Sequence, residues 1–316
     1  MTRFWPLIRL VPRQTHFNFV GLAPYAAALS ALAILGAVAS FFVQGMNFGV
    51  DFVGGTVMEV TTSGPAPLGQ IRAVMAKLGA HDAQVQVFGN PRSARVQFRA
   101  VQGMDTNAGA KYVAAQLASQ ITGLKVSGQS TVGAKVSGEL VWSGVFALGT
   151  ALGLMLLYIW FRFQLQFGLG AILALFHDIA LTIGLLCVTQ IEVSMTSIAA
   201  LLTVIGYSMN EKVISFDRLR ENLRKYKKTP LRDVINLSEN ERLSRTIITG
   251  TTALLALSGA LVMGGPALFP LVFTMAFGIF IGTYSSIYVA LPVILLWGVN
   301  RDDEAARAIG PQPARP

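Results

Sequence analysis

Apolar residues in this chain come in long runs, and one polar stretch of ordinary composition interrupts them. Residues 25–43, 140–161 and 268–299 contain no charged side chain at all. A helix of about 20 apolar residues crosses a hydrocarbon core roughly 30 Å thick, so runs of this length predict membrane spans. Six spans are expected, at residues 20–43, 140–161, 167–188, 193–216, 246–263 and 268–299. The first stands alone, and five crowd into the second half.

Between them, residues 44–139 switch to a different pattern. Short alternating or β-branched stretches at 57–62, 84–88 and 95–99 predict strands. Residues 68–78 and 107–121 place apolar side chains at helical spacing, for example Tyr112, Val113, Gln116 and Leu117. With a last strand near 124–127, the order is strand, helix, strand, strand, helix, strand, the split βαβ or ferredoxin-like arrangement. Gly89-Asn90-Pro91 is the expected turn between the middle strands. The fold class is therefore an α-helical membrane protein with one small ferredoxin-like α+β domain. No catalytic constellation is visible in that domain, which suits contact with something outside the membrane better than chemistry.

Charge orients this arrangement. Only 13% of the residues are charged, against about 25% in a typical soluble domain. The net charge of +9 could suggest nucleic acid, but ten of the 25 Lys and Arg fall between Lys212 and Arg245, beside predicted spans. That is the distribution that fixes orientation in a bilayer. A basic N-terminus (1–19, with Arg3, Arg9 and Arg13), a basic loop at 217–245 and a tail at 300–316 are then cytoplasmic. The connections 189–192 and 264–267, which carry no Lys or Arg, lie outside with the 44–139 domain. No nucleic-acid partner is expected, and the N-terminus lacks a cleavable signal pattern. One cysteine, Cys187, excludes an intrachain disulfide, and His16, His81 and His177 have no metal-ligand spacing. No phosphate-binding loop appears, so neither a cofactor, a metal nor an enzymatic centre is expected.

Ionisable groups inside spans each cost at least a few kcal/mol at the bilayer centre, and they are the most informative positions. His177-Asp178 falls in the middle of the third span. Asn210-Glu211-Lys212 falls toward the cytoplasmic end of the fourth, and Arg245 at the cytoplasmic entrance of the fifth. Glu211 and Arg245 should share a depth at which they can pair. Asp217 follows Asn210 by seven residues, nearly two helical turns, on the same face. Two readings stay open: paired charges that merely glue helices together, or an ion relay whose protonation alters helix packing. Gly149/Gly153 and Gly278/Gly282 have GxxxG spacing, which permits close helix approach. Pro270 and Pro292 should kink or end the last span.

Several segments carry a resemblance. Gly49-Val50-Asp51-Phe52-Val53-Gly54-Gly55-Thr56 resembles the GxDFxGGT signature that opens the extracytoplasmic domain in SecF members of the SecD/SecF protein-export family. SecD members usually read Leu-Arg-Gly-Gly there. Residues 131–140, 175–178, 198–222 and 236–249 are similar to the same family, as is Thr283-Tyr284-Ser285-Ser286. The resemblance spans nearly the whole chain in the right order.

It implies that the six spans form one half of an RND-type unit, with SecD supplying the other. The assembly would sit in the bacterial cytoplasmic membrane with SecYEG, SecA and YajC. It would use the proton motive force, or sodium in some relatives, to draw secretory proteins outward. Glu211, after Asn210, and Arg245 match the family's ion-responsive positions. The chain departs from the family where Asn-Asp is usually followed by Thr or Ser and here reads Asn210-Glu211-Lys212, and where Arg242 replaces a usually neutral residue. Lys212 neutralises Glu211 locally if the two share a face, and points away if the 100° step between helix neighbours separates them. The alternatives are one half of an RND-like small-molecule exporter and a scaffold paralogue that has lost coupling.

Overall fold

The computed structural model describes residues 15–80, 83–99, 101 and 103–299, so expectations for Arg3, Arg9, Arg13, His81 and the 300–316 tail lie outside the described residues. A 26-residue helix, α1 (Phe19–Gln44), is capped by Asn18, whose side chain accepts from the Gly21 amide. A single turn, α2 (Val50–Val53), leads into the sheet domain: β1 (Gly55–Thr61), α3 (Leu68–Lys77), β2 (Gln84–Phe88), β3 (Asn90–Phe98), α4 (Thr106–Gln120) and β4 (Lys125–Val132). The strands form one antiparallel sheet in the order β2-β3-β1-β4, the ferredoxin-like topology the alternation predicts.

Periodicity explains this domain's core. Met58, Val60, Val96, Ile71, Val113 and Leu117 are all fully buried between the sheet and its two helices. Burial of such side chains stabilises by about 1.5–3 kcal/mol each. Tyr112, expected on the same stripe, is exposed instead. The turn between the middle strands is tighter than expected. Phe88 already pairs with Asn90, so Gly89, at φ +78°, makes the reversal and Asn90-Pro91 belong to β3.

The remaining helices are α5 (Ala134–Arg162), α6 (Leu165–Thr189), α7 (Met195–Lys225), α8 (Leu231–Met263) and α9 (Gly265–Ser285). A π-helical turn (Ser286–Ala290) joins α9 to α10 (Leu291–Trp297). Among the described residues, five helical segments are long and apolar enough to cross a membrane by length and composition: α1, α5, α6, α8 and the α9–α10 unit. The exception is α7, whose apolarity is diluted by Asn210-Glu211-Lys212 and by the basic stretch after Phe216. It is nevertheless central, packed against α6, α8 and α9, with Glu211, Lys212 and Ser215 turned inward. The expected span at 193–216 is therefore not among the helices apolar enough to cross, although it lies inside the bundle.

The basic segment 217–245 is a helical hairpin rather than an open loop. Both α7 and α8 continue through it, and only residues 226–230 separate them. Leu219, Leu223, Val234 and Ile235 bury an apolar seam, while Asn222 donates to Ser238 at 3.0 Å and to Glu241 at 2.6 Å. That periodicity was hidden under the charge density. In the last span the distortion expected at Pro292 is the π turn just before it. A proline removes an amide donor, and a wide turn accommodates the loss.

Of the two small-residue pairs, one packs and one does not. Gly278 lies directly against the Val204 side chain, and a Cβ on Gly282 would sit 3.1 Å from Ser208 Cα. A Cβ on Gly149 or Gly153 would meet nothing within 4 Å, so their expected role in packing is not met within this chain. Gly278→Ala should therefore lower the thermal unfolding midpoint of the detergent-solubilised chain by an amount equivalent to about 1–3 kcal/mol, as overpacking does. Gly149→Ala should leave the midpoint unchanged or raise it.

Candidate functional site: a buried charge network

Two sets of residues organise the molecule, one joining the sheet domain to the bundle and one inside the bundle. The first is built on the glycine-rich segment before β1. The Gly49 amide donates to Val193 O at 2.9 Å, and Asp51 Oδ2 accepts from the Met195 amide at 2.9 Å, capping α7 at its start. A carboxylate there also meets the positive end of the helix dipole. A Cβ on Gly49 would fall 2.5 Å from Glu192 Oε1, so a larger residue would displace the carboxylate that Arg95 holds. Gly54 (φ +71°) and Gly55 (φ +129°) adopt backbone conformations that other residues avoid, and a Cβ on Gly55 would lie 2.5 Å from Phe98 O. Arg95 of β3 completes the joint with Glu192 at 2.9 Å and Glu59 at 3.3 Å. Gly49, Asp51, Gly54 and Gly55 are thus structural residues of a domain joint.

The second set lies in the middle of the bundle. Consecutive residues on a helix point about 100° apart, and two such pairs, Glu211-Lys212 on α7 and Ser285-Ser286 at the end of α9, divide the network in two. Toward α6, Lys212 Nζ reaches Asp178 Oδ2 at 2.8 Å and Ser285 Oγ at 3.1 Å, and also contacts Ser208. Asp178 Oδ1 faces His177 Nδ1 at 2.9 Å. His177 Nε2 is 3.0 Å from Ser30, which is 2.9 Å from the Tyr284 hydroxyl.

Toward α8, Arg242 holds Glu239 through two nitrogens, at 2.7 Å and 2.6 Å. It also donates to Thr246 at 2.8 Å and to Ser286 at 3.0 Å. Its contact with Glu211 is longer, 3.5 Å, and Thr246 donates to the same Glu211 oxygen at 3.2 Å. Asp178, Glu211, Lys212, Glu239 and Arg242 are all at most 4% exposed. Three carboxylates face two cations, so the network has one carboxylate more than it has cations when His177 is counted neutral. Glu211 is the carboxylate held most loosely.

The expected site residues separate accordingly. Asp178 and Glu211 are in the network, but the expected Glu211–Arg245 pair is not formed. Arg242, one turn earlier, faces inward, while Arg245 is exposed on the outer side of α8. Asn210 is likewise exposed on α7. Asp217 pairs with Arg162 at 2.8 Å near the bundle end, apart from Glu211. Lys212 turns away from Glu211 and serves Asp178. Sequence reasoning missed Glu239, Ser208, Ser215 and Ser30. Glu239 had a signal, its i,i+3 spacing to Arg242. The serines had none, since hydroxyls are common in apolar helices.

Comparison with known proteins places these features in a family. The family description "Protein export membrane protein SecD/SecF, C-terminal" matches residues 113–300, and "SecD/SecF GG Motif" matches residues 39–66, around the joint glycines. Protein translocase subunit SecF of Rhodobacter capsulatus is 42% identical over 313 residues, covering 94% of this chain and 93% of the relative. The same subunit of Pseudomonas aeruginosa is 40% identical over 281 residues, covering 89% and 90%. Among solved structures, SecDF of Thermus thermophilus, a translocon-associated membrane protein, superposes with a TM-score of 0.83 at 33% identity over 91% of this chain. This chain spans 39% of the length of that SecDF.

Arg242→Met would leave Glu211 and Glu239 buried without their cation. Breaking a buried ion pair by removing one partner costs about 3–5 kcal/mol. The unfolding midpoint should fall accordingly, and adding Glu239→Gln should recover most of the loss. Arg245→Ala, at an exposed position, should leave the midpoint unchanged.

Proposed function

The chain belongs to the SecD/SecF protein-export family as a SecF-type, multi-pass membrane protein with an accessory role in Sec-dependent translocation, and from that footing we propose that it couples export to ion movement together with a SecD partner. In this reading it lies in the bacterial cytoplasmic membrane with both termini cytoplasmic, and it promotes the late, outward stage of export after SecYEG and SecA have moved the secretory chain. YajC belongs to the same proposed assembly.

The observation that carries the reading is the charge imbalance of the buried network. One carboxylate is in excess, and Glu211 has only a 3.5 Å contact to Arg242 and one hydroxyl to hold it. A group in that position gains most from an arriving proton. Beside it, Asn210 and Arg245 are exposed on the outer side of α7 and α8 at the depth of the network. Charged and polar side chains at that depth are costly against lipid, so a protein partner is the surface they fit. Under this proposal that face meets SecD, and Arg245 acts across the interface rather than within the bundle. One charge crossing 100 mV releases about 2.3 kcal/mol, roughly a fiftyfold bias on a two-state helix arrangement. The sheet domain follows the helices through Asp51 and Arg95, which tie it to the start of α7 and to Glu192.

A second reading has its own support. Lys212 and the bidentate Arg242–Glu239 pair could hold the helices static, as a scaffold requires. Export of a secreted reporter separates the two. In cells whose only copy carries Glu211→Gln, export should drop to the level of the deletion while protein abundance holds. Wild-type export in that strain assigns the chain a scaffold role. Under coupling, Arg245→Ala should also reduce export although it leaves the isolated chain as stable as before.

A further inference from the structure

The surroundings of Lys212 are those of a bound cation rather than of an ordinary salt bridge. Its ammonium is fully buried and meets four oxygens: Asp178 Oδ2 at 2.8 Å, Ser285 Oγ at 3.1 Å, Ser208 O at 3.4 Å, and Ser208 Oγ. The two hydroxyls both donate to the same Asp178 oxygen, Ser285 at 2.7 Å and Ser208 beside it. With their protons committed to the carboxylate, both present lone pairs to Nζ. One carboxylate, two hydroxyls and one carbonyl form an all-oxygen shell with a single negative charge. Hard cations take such shells, and a single carboxylate matches a single positive charge.

The shell is built by three helices and has a backbone reason to exist. Gly282 lets α9 approach Ser208 so closely that a Cβ there would lie 3.1 Å from both Ser208 Cα and Cβ. The π turn beginning at Ser286 lets Ser285 face Asp178 while its neighbour faces Arg242. His177 fixes the other carboxylate oxygen, so Asp178 cannot rotate away. Among the described residues, no group of three or more His, Cys, Asp or Glu is placed to hold a metal ion, and a divalent ion would find too little charge here.

We propose that this pocket is a monovalent-cation site whose cation is supplied by the chain itself, the ammonium of Lys212. Asp178 is thereby compensated in the resting protein without any ion from solution, and the α6–α7–α9 seam is insensitive to sodium, lithium or potassium. The inference concerns Asp178 and Lys212 only and holds whether or not Glu211 couples ion movement to export.

The test is thermal unfolding of the purified full chain in detergent, in NaCl, LiCl, KCl or choline chloride at one ionic strength. With Lys212 in place, Glu211→Gln, which removes the other ion-responsive carboxylate, should unfold at the same midpoint in all four, and any salt difference in the wild type should vanish with it. Lys212→Thr removes the ammonium and adds an oxygen ligand. It should be destabilised in choline chloride and should regain at least half of the lost midpoint, saturably, in NaCl or LiCl. Asp178→Asn in the same background should abolish that recovery. Asp178→Asn/Lys212→Met, neutral at both positions, should show no difference among the salts. A saturable alkali-ion shift that persists in Glu211→Gln would overturn the proposal, as would a Lys212→Thr protein that unfolds alike in sodium and choline. If Lys212→Thr can be purified folded only in sodium or lithium, the proposal holds. If it cannot be folded in any of the four salts, the proposal fails, because a pocket shaped for a cation should accept one from solution.

Discussion

Everything inside the bundle is arranged around the cost of a charge out of water. An isolated ionised side chain in a low-dielectric interior is penalised by far more than a protein's net stability, so each must find its opposite and satisfy its remaining hydrogen bonds. Here five charged side chains are buried within one region, and serines and threonines from α7, α8, α9 and the π turn fill the remaining donor and acceptor positions. Buried pairs of this kind are weak evidence for net stability, since desolvation offsets much of the Coulomb gain. What they do provide is a discrete arrangement. Arg242 can face Glu239, Thr246, Ser286 and Glu211 together only when α7, α8 and α9 hold one register.

The joint to the sheet domain follows from the same economy of contacts. The stretch Gly49–Gly55 is short, and it must turn twice, approach Glu192 and present Asp51 to the first amide of α7. Glycines at 54 and 55 supply backbone angles unavailable to other residues, and Gly49 supplies room. Because Asp51 binds the first amide of α7 and Arg95 binds Glu192, three residues before it, the sheet is attached to α7 by a hydrogen bond and an ion pair rather than by a flexible tether. The helix that carries Glu211 and Lys212 is the one the sheet domain holds.

How legible this was from sequence depends on the physics of each element. The spans announce themselves because lipid demands unbroken apolarity, and the sheet domain because alternation at period two survives in Gln84–Phe88 and in residues 95–99. The helical extension through 217–245 was obscured, since charge density reads as a loop although Leu219, Leu223, Val234 and Ile235 keep helical spacing. In the site, the positions of Asp178 and Glu211 were evident from their cost. Their partners were not. Arg242 and Arg245 lie three residues apart on one helix, and only packing decides which faces the bundle. Lys212 could have served Glu211 or turned from it, and no local pattern distinguishes the two.

That choice settles how two buried cations are accommodated. Taken singly, Lys212 and Arg242 would each bring an expensive charge into the bundle. Taken together with the carboxylates they serve, they are distributed one to each side of α7. Lys212 compensates Asp178, and Arg242 compensates Glu239 at bonding distance and Glu211 at longer range. Consecutive residues can do this because a helix separates neighbours by about 100°, and Ser285-Ser286 repeat the division on α9, where the π turn begins. A residue pair at each of two facing helix positions thus keeps the halves distinct while joining them through backbone. In one half the single carboxylate, Asp178, is matched by the single ammonium of Lys212. The other has two carboxylates to one cation, and Glu211 is the carboxylate of the pair that Arg242 holds at the longer distance.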